Sequence, residues 1–148
     1  MDDGLIHDVI LTPLQIIEVS GGDVMHAMKC GDLGFKGYGE AYFSLGERSA
    51  VKAWKRHHKM VLNIIVPVGQ IRFVLFDDRQ DSVTYNKYQV VELSKENYFR
   101  LTVPPMIWMG FQGMSEDVNM LLNIASIPHE PEETDRKMIN EIDFDWSI

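Results

Sequence analysis

Pro67-Val68-Gly69-Gln70-Ile71-Arg72-Phe73-Val74-Leu75-Phe76-Asp77-Asp78-Arg79 is the stretch that decides the fold. Pro67-Val68-Gly69 and Asp77-Asp78-Arg79 read as turns, because Pro presets φ, Gly admits positive φ and Asp bonds its own backbone. Between them Gln70–Asp77 reads as a strand, and after Arg72 its apolar residues occupy both faces. A strand of that kind is buried on two sides, as where two sheets pack or where one lines an occupied barrel.

Working outward, the same texture recurs. Leu14–Val19, Val24–Met28, Glu40–Leu45, Val51–His57, Met60–Val66, Tyr88–Leu93, Tyr98–Val103, Ile107–Gln112 and Asn119–Ala125 are short runs rich in Val, Ile, Tyr and Phe. Their close spacing, with turn residues such as Gly21-Gly22 between them, predicts an all-β sandwich or barrel. Only Glu132–Ile139 reads as helix: it follows Pro131, with Glu132, Glu133 and Asp135 early and Arg136 and Lys137 late, as the helix dipole favours. Ile142–Ile148 is expected to return as a short edge strand.

The chain has 148 residues, enough for one domain spanning 1–148 and one core. Its net charge of −8 argues against a nucleic-acid partner. Yet Arg48, Lys52, Lys55, Arg56 and Lys59 fall close together, and positive charge concentrated in an acidic protein suits a phosphate or pyrophosphate. The single cysteine, Cys30, rules out an internal disulfide framework and is read as a small packing residue. No segment approaches the ~20 apolar residues of a membrane span. The start, Met1-Asp2-Asp3-Gly4-Leu5-Ile6-His7-Asp8, is acidic where a signal peptide would be basic, so a cytoplasmic protein without membrane contact is expected.

An ordered set of landmarks resembles the dTDP-4-dehydrorhamnose 3,5-epimerase family. These are Ser49-Ala50-Val51-Lys52-Ala53-Trp54-Lys55; Gly69 to Arg79 followed by Ser82-Val83-Thr84; Leu93-Ser94 with Asn97-Tyr98; Val103-Pro104-Pro105-Met106-Ile107-Trp108-Met109-Gly110-Phe111; and the closing Ile142-Asp143-Phe144-Asp145-Trp146. The resemblance implies a cupin-type double-stranded β-helix, a jelly roll of about ten antiparallel strands in two sheets. It further implies a homodimer and a nucleotide-sugar substrate epimerised or isomerised beside a ketone. At the matching positions the family's basic His is Lys55, its phosphate-binding Arg is Lys52, its second His is Met109, and its catalytic Tyr falls at about Leu122 or Asn123. Against the related nucleotide-sugar 3,4-ketoisomerases, Lys52-Ala53-Trp54-Lys55-Arg56-His57-His58-Lys59 keeps a histidine at His57. The alternative is a cupin that binds carbohydrate or nucleotide sugar without catalysis.

Abstraction of a proton beside a ketone needs a base, a group to hold the enolate oxygen and an acid for the other face. Strand alternation puts Lys55 and His57 on one face with Val51 and Ala53, and Lys52, Trp54, Arg56 and His58 on the other. Lys55 is the expected base, with its pKa lowered by burial and by neighbouring cations, and His57 is its partner. Tyr42, with Tyr38 as the alternative, is the expected phenol. Lys52, Arg56 and Arg48 are the diphosphate candidates, and Asn63, Trp108 and Met109 are expected to line the substrate site. No cofactor is expected. A metal is not expected either, since His57 and His58 are adjacent and Met109 occupies the later ligand position. The enzyme and binding-module readings part on whether Lys55 and His57 meet a Tyr or a carboxylate in one pocket.

Overall fold

The computed structural model describes residues 4–148, so Met1, Asp2 and Asp3 of the acidic start lie outside the described residues. Twelve strands follow in order: β1 (Ile10–Pro13), β2 (Ile16–Ile17), β3 (Val24–Met25), β4 (Glu40–Leu45), β5 (Val51–His57), β6 (Leu62–Val68), β7 (Gln70–Phe76), β8 (Tyr88–Ser94), β9 (Phe99–Val103), β10 (Trp108–Gly113), β11 (Met120–Ala125) and β12 (Thr134–Arg136). One sheet has the order β1-β9-β6-β11-β4 and a second β12-β5-β10-β7-β8, while β2-β3 form a separate hairpin. The paired strands are antiparallel throughout, and the two five-stranded sheets make the expected jelly-roll sandwich.

Strand alternation builds the core. Ile64, Val66, Leu101 and Val103 of the first sheet meet Ile71, Phe73, Leu75, Val91 and Leu93 of the second. Each such side chain gains about 2 kcal/mol by leaving water. The other face of β7 is buried as well. Val74 and Phe76 pack with Trp54, Trp108, Ile142, Phe144 and Trp146 on the outside of the second sheet. That is the physical basis of the two-sided apolar pattern.

The segment 142–148 therefore crosses the outer face as an irregular strap, not as the expected edge strand. Arg72 pins it by donating to the Trp146 carbonyl at 3.1 Å and to Gln112 Oε1 at 2.6 Å. The strap also explains Gly110: a Cβ there would lie 2.6 Å from Ala53 Cβ and 3.0 Å from the Trp146 ring.

Two further expectations are corrected. Glu132–Ile139 is not a helix. Pro131–Glu133 is a 3-10 turn, β12 adds to the edge of β5, and Ile139–Glu141 is a second 3-10 turn. The charge order suited a helix dipole, but the open edge of β5 offers backbone partners, and Glu133 has a buried acceptor role there. At the N-terminus, Leu14–Val19 holds only the two-residue β2, and the longer strand is β1 just before it, with Pro13 ending an edge strand, where Pro is tolerated.

The Asp77-Asp78-Arg79 turn is a closed network. Arg79 Nε donates to Asp77 Oδ1 at 2.8 Å, and the hydroxyls of Ser82 and Thr84 donate to Asp77 Oδ2 at 2.6 and 2.7 Å. Burial alone would raise the Asp77 carboxyl; these donors outweigh it and hold it far below the usual carboxylate range.

Candidate functional site

Between the β6-β11-β4 side of the first sheet and the β12-β5-β10 side of the second lies a cavity of about 510 Å³. Leu62, Ile64 and Leu121 give it an apolar floor. Its polar lining is Tyr42 and Ser44 on β4, Asn123 on β11, Lys52, Lys55 and His57 on β5, Arg136 on β12 and Lys137 just after it, with no carboxylate among the lining residues. The first sheet thus supplies the phenol and the amide, and the second supplies the bases and cations. Packed sheets lie about 10 Å apart, room for a single sugar ring between their side chains.

A bulge in β5 shapes the cationic wall. Met109 pairs with Lys55 and Phe111 with Lys52, so three steps along β5 oppose two along β10. The extra residue resets the alternation, and Lys52 and Lys55 both reach the cavity, while Ala53 and Trp54, also at its wall, pack into the outer cluster. Lys52 was expected on the opposite face from Lys55; the bulge is why it is not. Its Nζ donates to the Leu45 carbonyl at 2.8 Å and stands 5.7 Å from the Phe111 ring centre.

His57 is buried and its Nδ1 hydrogen-bonds Oε1 of the equally buried Glu133. The other oxygen, Oε2, accepts the backbone N–H groups of His58, Lys59 and Met60 at 3.1, 2.9 and 3.3 Å. Burial would raise the Glu133 carboxyl, but the hydrogen bonds from His57, Lys59 and Met60 prevail and hold it down to about 2. An ionised carboxylate only accepts, so Nδ1 carries the proton and Nε2 keeps its lone pair. Burial pushes the His57 pKa below its ordinary value, against the pull of Glu133, so the ring is neutral near pH 7.

Lys55 is half-buried, and its pKa is lowered first by that burial and then by Arg136, its register partner on β12. Among the described residues no carboxylate lies within ion-pair distance of Lys55 or of Arg136. Across the cavity, Asn123 faces Tyr42 in register, and Asn123 Nδ2 donates to the Tyr42 oxygen at 3.0 Å.

Five of the nine residues singled out from sequence therefore meet: Lys52, Lys55, His57, Tyr42 and Met109. Four do not. Arg56 lies on the outer face, bridging Asp78 at 3.1 Å and Asp135 at 2.6 Å, so its charge is already matched. Trp108 is buried beneath it, with the Arg56 guanidinium 4.5 Å from its ring and its Nε1–H donated to Asp78 at 2.8 Å, leaving no face for a sugar. Arg48 is paired with Glu116 near the bridge to Gly113. Asn63 lies on the outer face of the first sheet, donating to the Gly34 carbonyl and accepting from Thr102. Cys30 is exposed, so it is not a packing residue. His58 points away from His57, to Asp135 at 2.9 Å.

Glu133 and Arg136 join the site without a signal in the local sequence, and Asn123 joins it at the place where the family resemblance set the catalytic Tyr. Glu133 and Arg136 sit in the segment that reads as helix, and Glu133 is 76 residues from His57. Asn123 lies within the expected strand Asn119–Ala125, but which of its residues face inward follows only from the pairing with β4 and β6.

Comparison with known proteins agrees with the sandwich fold. The family model described as dTDP-4-dehydrorhamnose 3,5-epimerase matches residues 51–148. A dTDP sugar isomerase from Desulfovibrio desulfuricans G20, known from its crystal structure, is 35% identical, with a TM-score of 0.91 over 95% of this chain and 92% of that one. The probable low-salt glycan biosynthesis epimerase Agl13 of Haloferax volcanii is 25% identical over 136 residues, covering 90% of this chain and 87% of the relative. The spore coat polysaccharide biosynthesis protein SpsL of Bacillus subtilis is 25% identical over 114 residues, 74% of this chain and 76% of its own length. The sandwich, the enclosed cavity and the matched sequence together place this chain in the dTDP-4-dehydrorhamnose 3,5-epimerase family.

Proposed function

We propose that the protein is a sugar-nucleotide epimerase that inverts a carbon beside the ketone of a keto-sugar, with His57 as the base. The observation that carries this reading is the opposition of the two cavity walls: His57, held by Glu133, on the second sheet, and Tyr42 on the first. Inversion needs a base and an acid on opposite faces of one ring, and a two-sheet cavity supplies them.

The step runs as follows. His57 Nε2 takes the proton from the carbon next to the ketone, and the C–H electron pair becomes the enolate. The Lys55 ammonium, free of carboxylate partners, balances the negative oxygen in a largely apolar pocket where such a charge counts for more than in water. The Tyr42 hydroxyl then returns a proton to the opposite face, and both groups re-equilibrate with solvent. Sequence alone favoured Lys55 as base. The geometry favours His57, because a base is best poised when a third group fixes its tautomer, and Glu133 does that for His57 alone. Lys52, at the Leu45 side of the cavity, and Arg136 are the cations for the nucleoside diphosphate.

Incubation with dTDP-, UDP-, GDP- and CDP-linked 4-keto-6-deoxy sugars in deuterated water tests the reading. Deuterium at carbon 3 or 5 with inversion of that centre is expected for at least one sugar. Binding of the sugars with no exchange would instead identify a non-catalytic module. A homodimer and a cytoplasmic location go with this reading by resemblance to the family; light scattering at micromolar concentration should give twice the 17.0 kDa chain mass.

A further inference from the structure

Among the fully buried side-chain polar atoms of the cavity lining, one is left without a partner. Asn123 is 2% exposed, its Nδ2 is committed to Tyr42, and its Oδ1 is buried with no hydrogen-bond partner. An orphaned buried acceptor gives up its water with no bond in return, so such atoms are uncommon unless something fills them. Here the side chain opens onto the site. The second feature is the direction of the Asn123–Tyr42 bond. The amide donates and the phenol oxygen accepts, so the Tyr42 hydrogen is not spent on Asn123 and remains available to the cavity.

We infer that Asn123 is a positioning and specificity-determining residue: its Nδ2 holds Tyr42 as a donor toward the ring, and its Oδ1 accepts a hydroxyl of the sugar. The inference rests on the epimerase reading above. No sequence-adjacent group shares the task, since the pair is made across the β4–β11 register.

Replacing the amide by a carboxylate separates the two roles. In Asn123→Asp the side chain can only accept, so Tyr42 turns its hydrogen onto it and away from the cavity. His57 still abstracts the proton, but the enolate is reprotonated from the original face. With dTDP-4-keto-6-deoxyglucose in deuterated water, deuterium incorporation is expected within about threefold of the wild type, while inversion falls by about tenfold or more. KM is expected to hold, because an acceptor remains for the hydroxyl. In Asn123→Ala inversion falls similarly and KM rises at least about fivefold, the loss of one hydrogen bond to a neutral partner. In a Tyr42→Phe background, a change at an accessible side chain, Asn123→Asp should cause no further loss of inversion. Exchange and inversion falling in parallel, additivity with Tyr42→Phe, or an unchanged KM in Asn123→Ala would each overturn the inference. Wild-type protein that neither exchanges nor inverts any sugar of the panel would sink the epimerase reading itself, an outcome separable from these.

Discussion

Glu133 and His57 are both buried, stand 76 residues apart in the chain, and share a hydrogen bond between Oε1 and Nδ1. The bond is possible because β12 docks on β5, with Thr134 opposite His57 and Arg136 opposite Lys55. One short strand thus carries the orienting carboxylate at its leading edge and a cation of the cavity at its end.

Glu133→Gln keeps the shape and the acceptor for the backbone N–H groups but removes the charge that fixes the His57 tautomer. Deuterium exchange at carbon is expected to fall about a hundredfold or more, as when a base loses its orienting partner. Stability should drop by about 1–3 kcal/mol, read from urea unfolding, because charged hydrogen bonds become neutral ones. Full activity in this variant would remove His57 from the role of base.

The pH dependence follows from the same pair. The His57 pKa of the free protein lies below its ordinary value of 6.5, so the acid limb of kcat/KM for exchange should have its midpoint below pH 6.5. Glu133 lies at about 2 against an ordinary 4.5. A depressed carboxyl contributes stability above its unfolded value, and that contribution fades as pH falls through the folded one. Asp77 acts in the same direction. Thermal melts should therefore be steady above about pH 5 and fall progressively from there toward pH 2.

Lys52 and Arg56 lie four residues apart, and the structure assigns them different work. Lys52→Ala is expected to weaken nucleotide-sugar binding about tenfold in calorimetry, the value of one charge-assisted contact, with the melting temperature nearly unchanged. Arg56→Ala should leave affinity intact and cost about 1–2 kcal/mol of stability, because Asp78 and Asp135 lose their shared cation and keep only the Trp108 and His58 bonds. A reversed pattern would move the diphosphate to the outer face.

Gly110→Ala probes the strap. The new methyl would meet Ala53 Cβ at 2.6 Å and the Trp146 ring at 3.0 Å, so the 142–148 segment must lift. A loss of about 1–3 kcal/mol is expected from overpacking. Tryptophan emission should shift to the red as Trp146, half-covered against Trp54 and Phe144 at 5.4 and 4.9 Å, gains water.

The strands most legible in the sequence are those whose two faces differ in burial or are both buried. Val51–His57, Gln70–Phe76 and Tyr88–Leu93 follow from β-branched and aromatic runs bounded by turns, because a strand's environment is written into its alternating residues. Lys55 and His57 on one face of β5 follow from the same alternation, and the ordered landmarks from Ser49 to Trp146 pointed to the family. Beyond that, local patterns give out. Alternation put Lys52 on the wrong side because one extra residue in β5 resets the count, and only the partner strand β10 reveals a bulge. It left Arg56 and Trp108 as ligand candidates because a cation and an aromatic look alike in sequence whether they face a cavity or cover each other. It made a helix of Glu132–Ile139 because backbone donors on a distant strand edge are invisible along the chain. The tertiary structure alone decided that Glu133 meets His57 and that Asn123 meets Tyr42, since a cross-strand hydrogen bond depends on register and docking, quantities that no single segment contains.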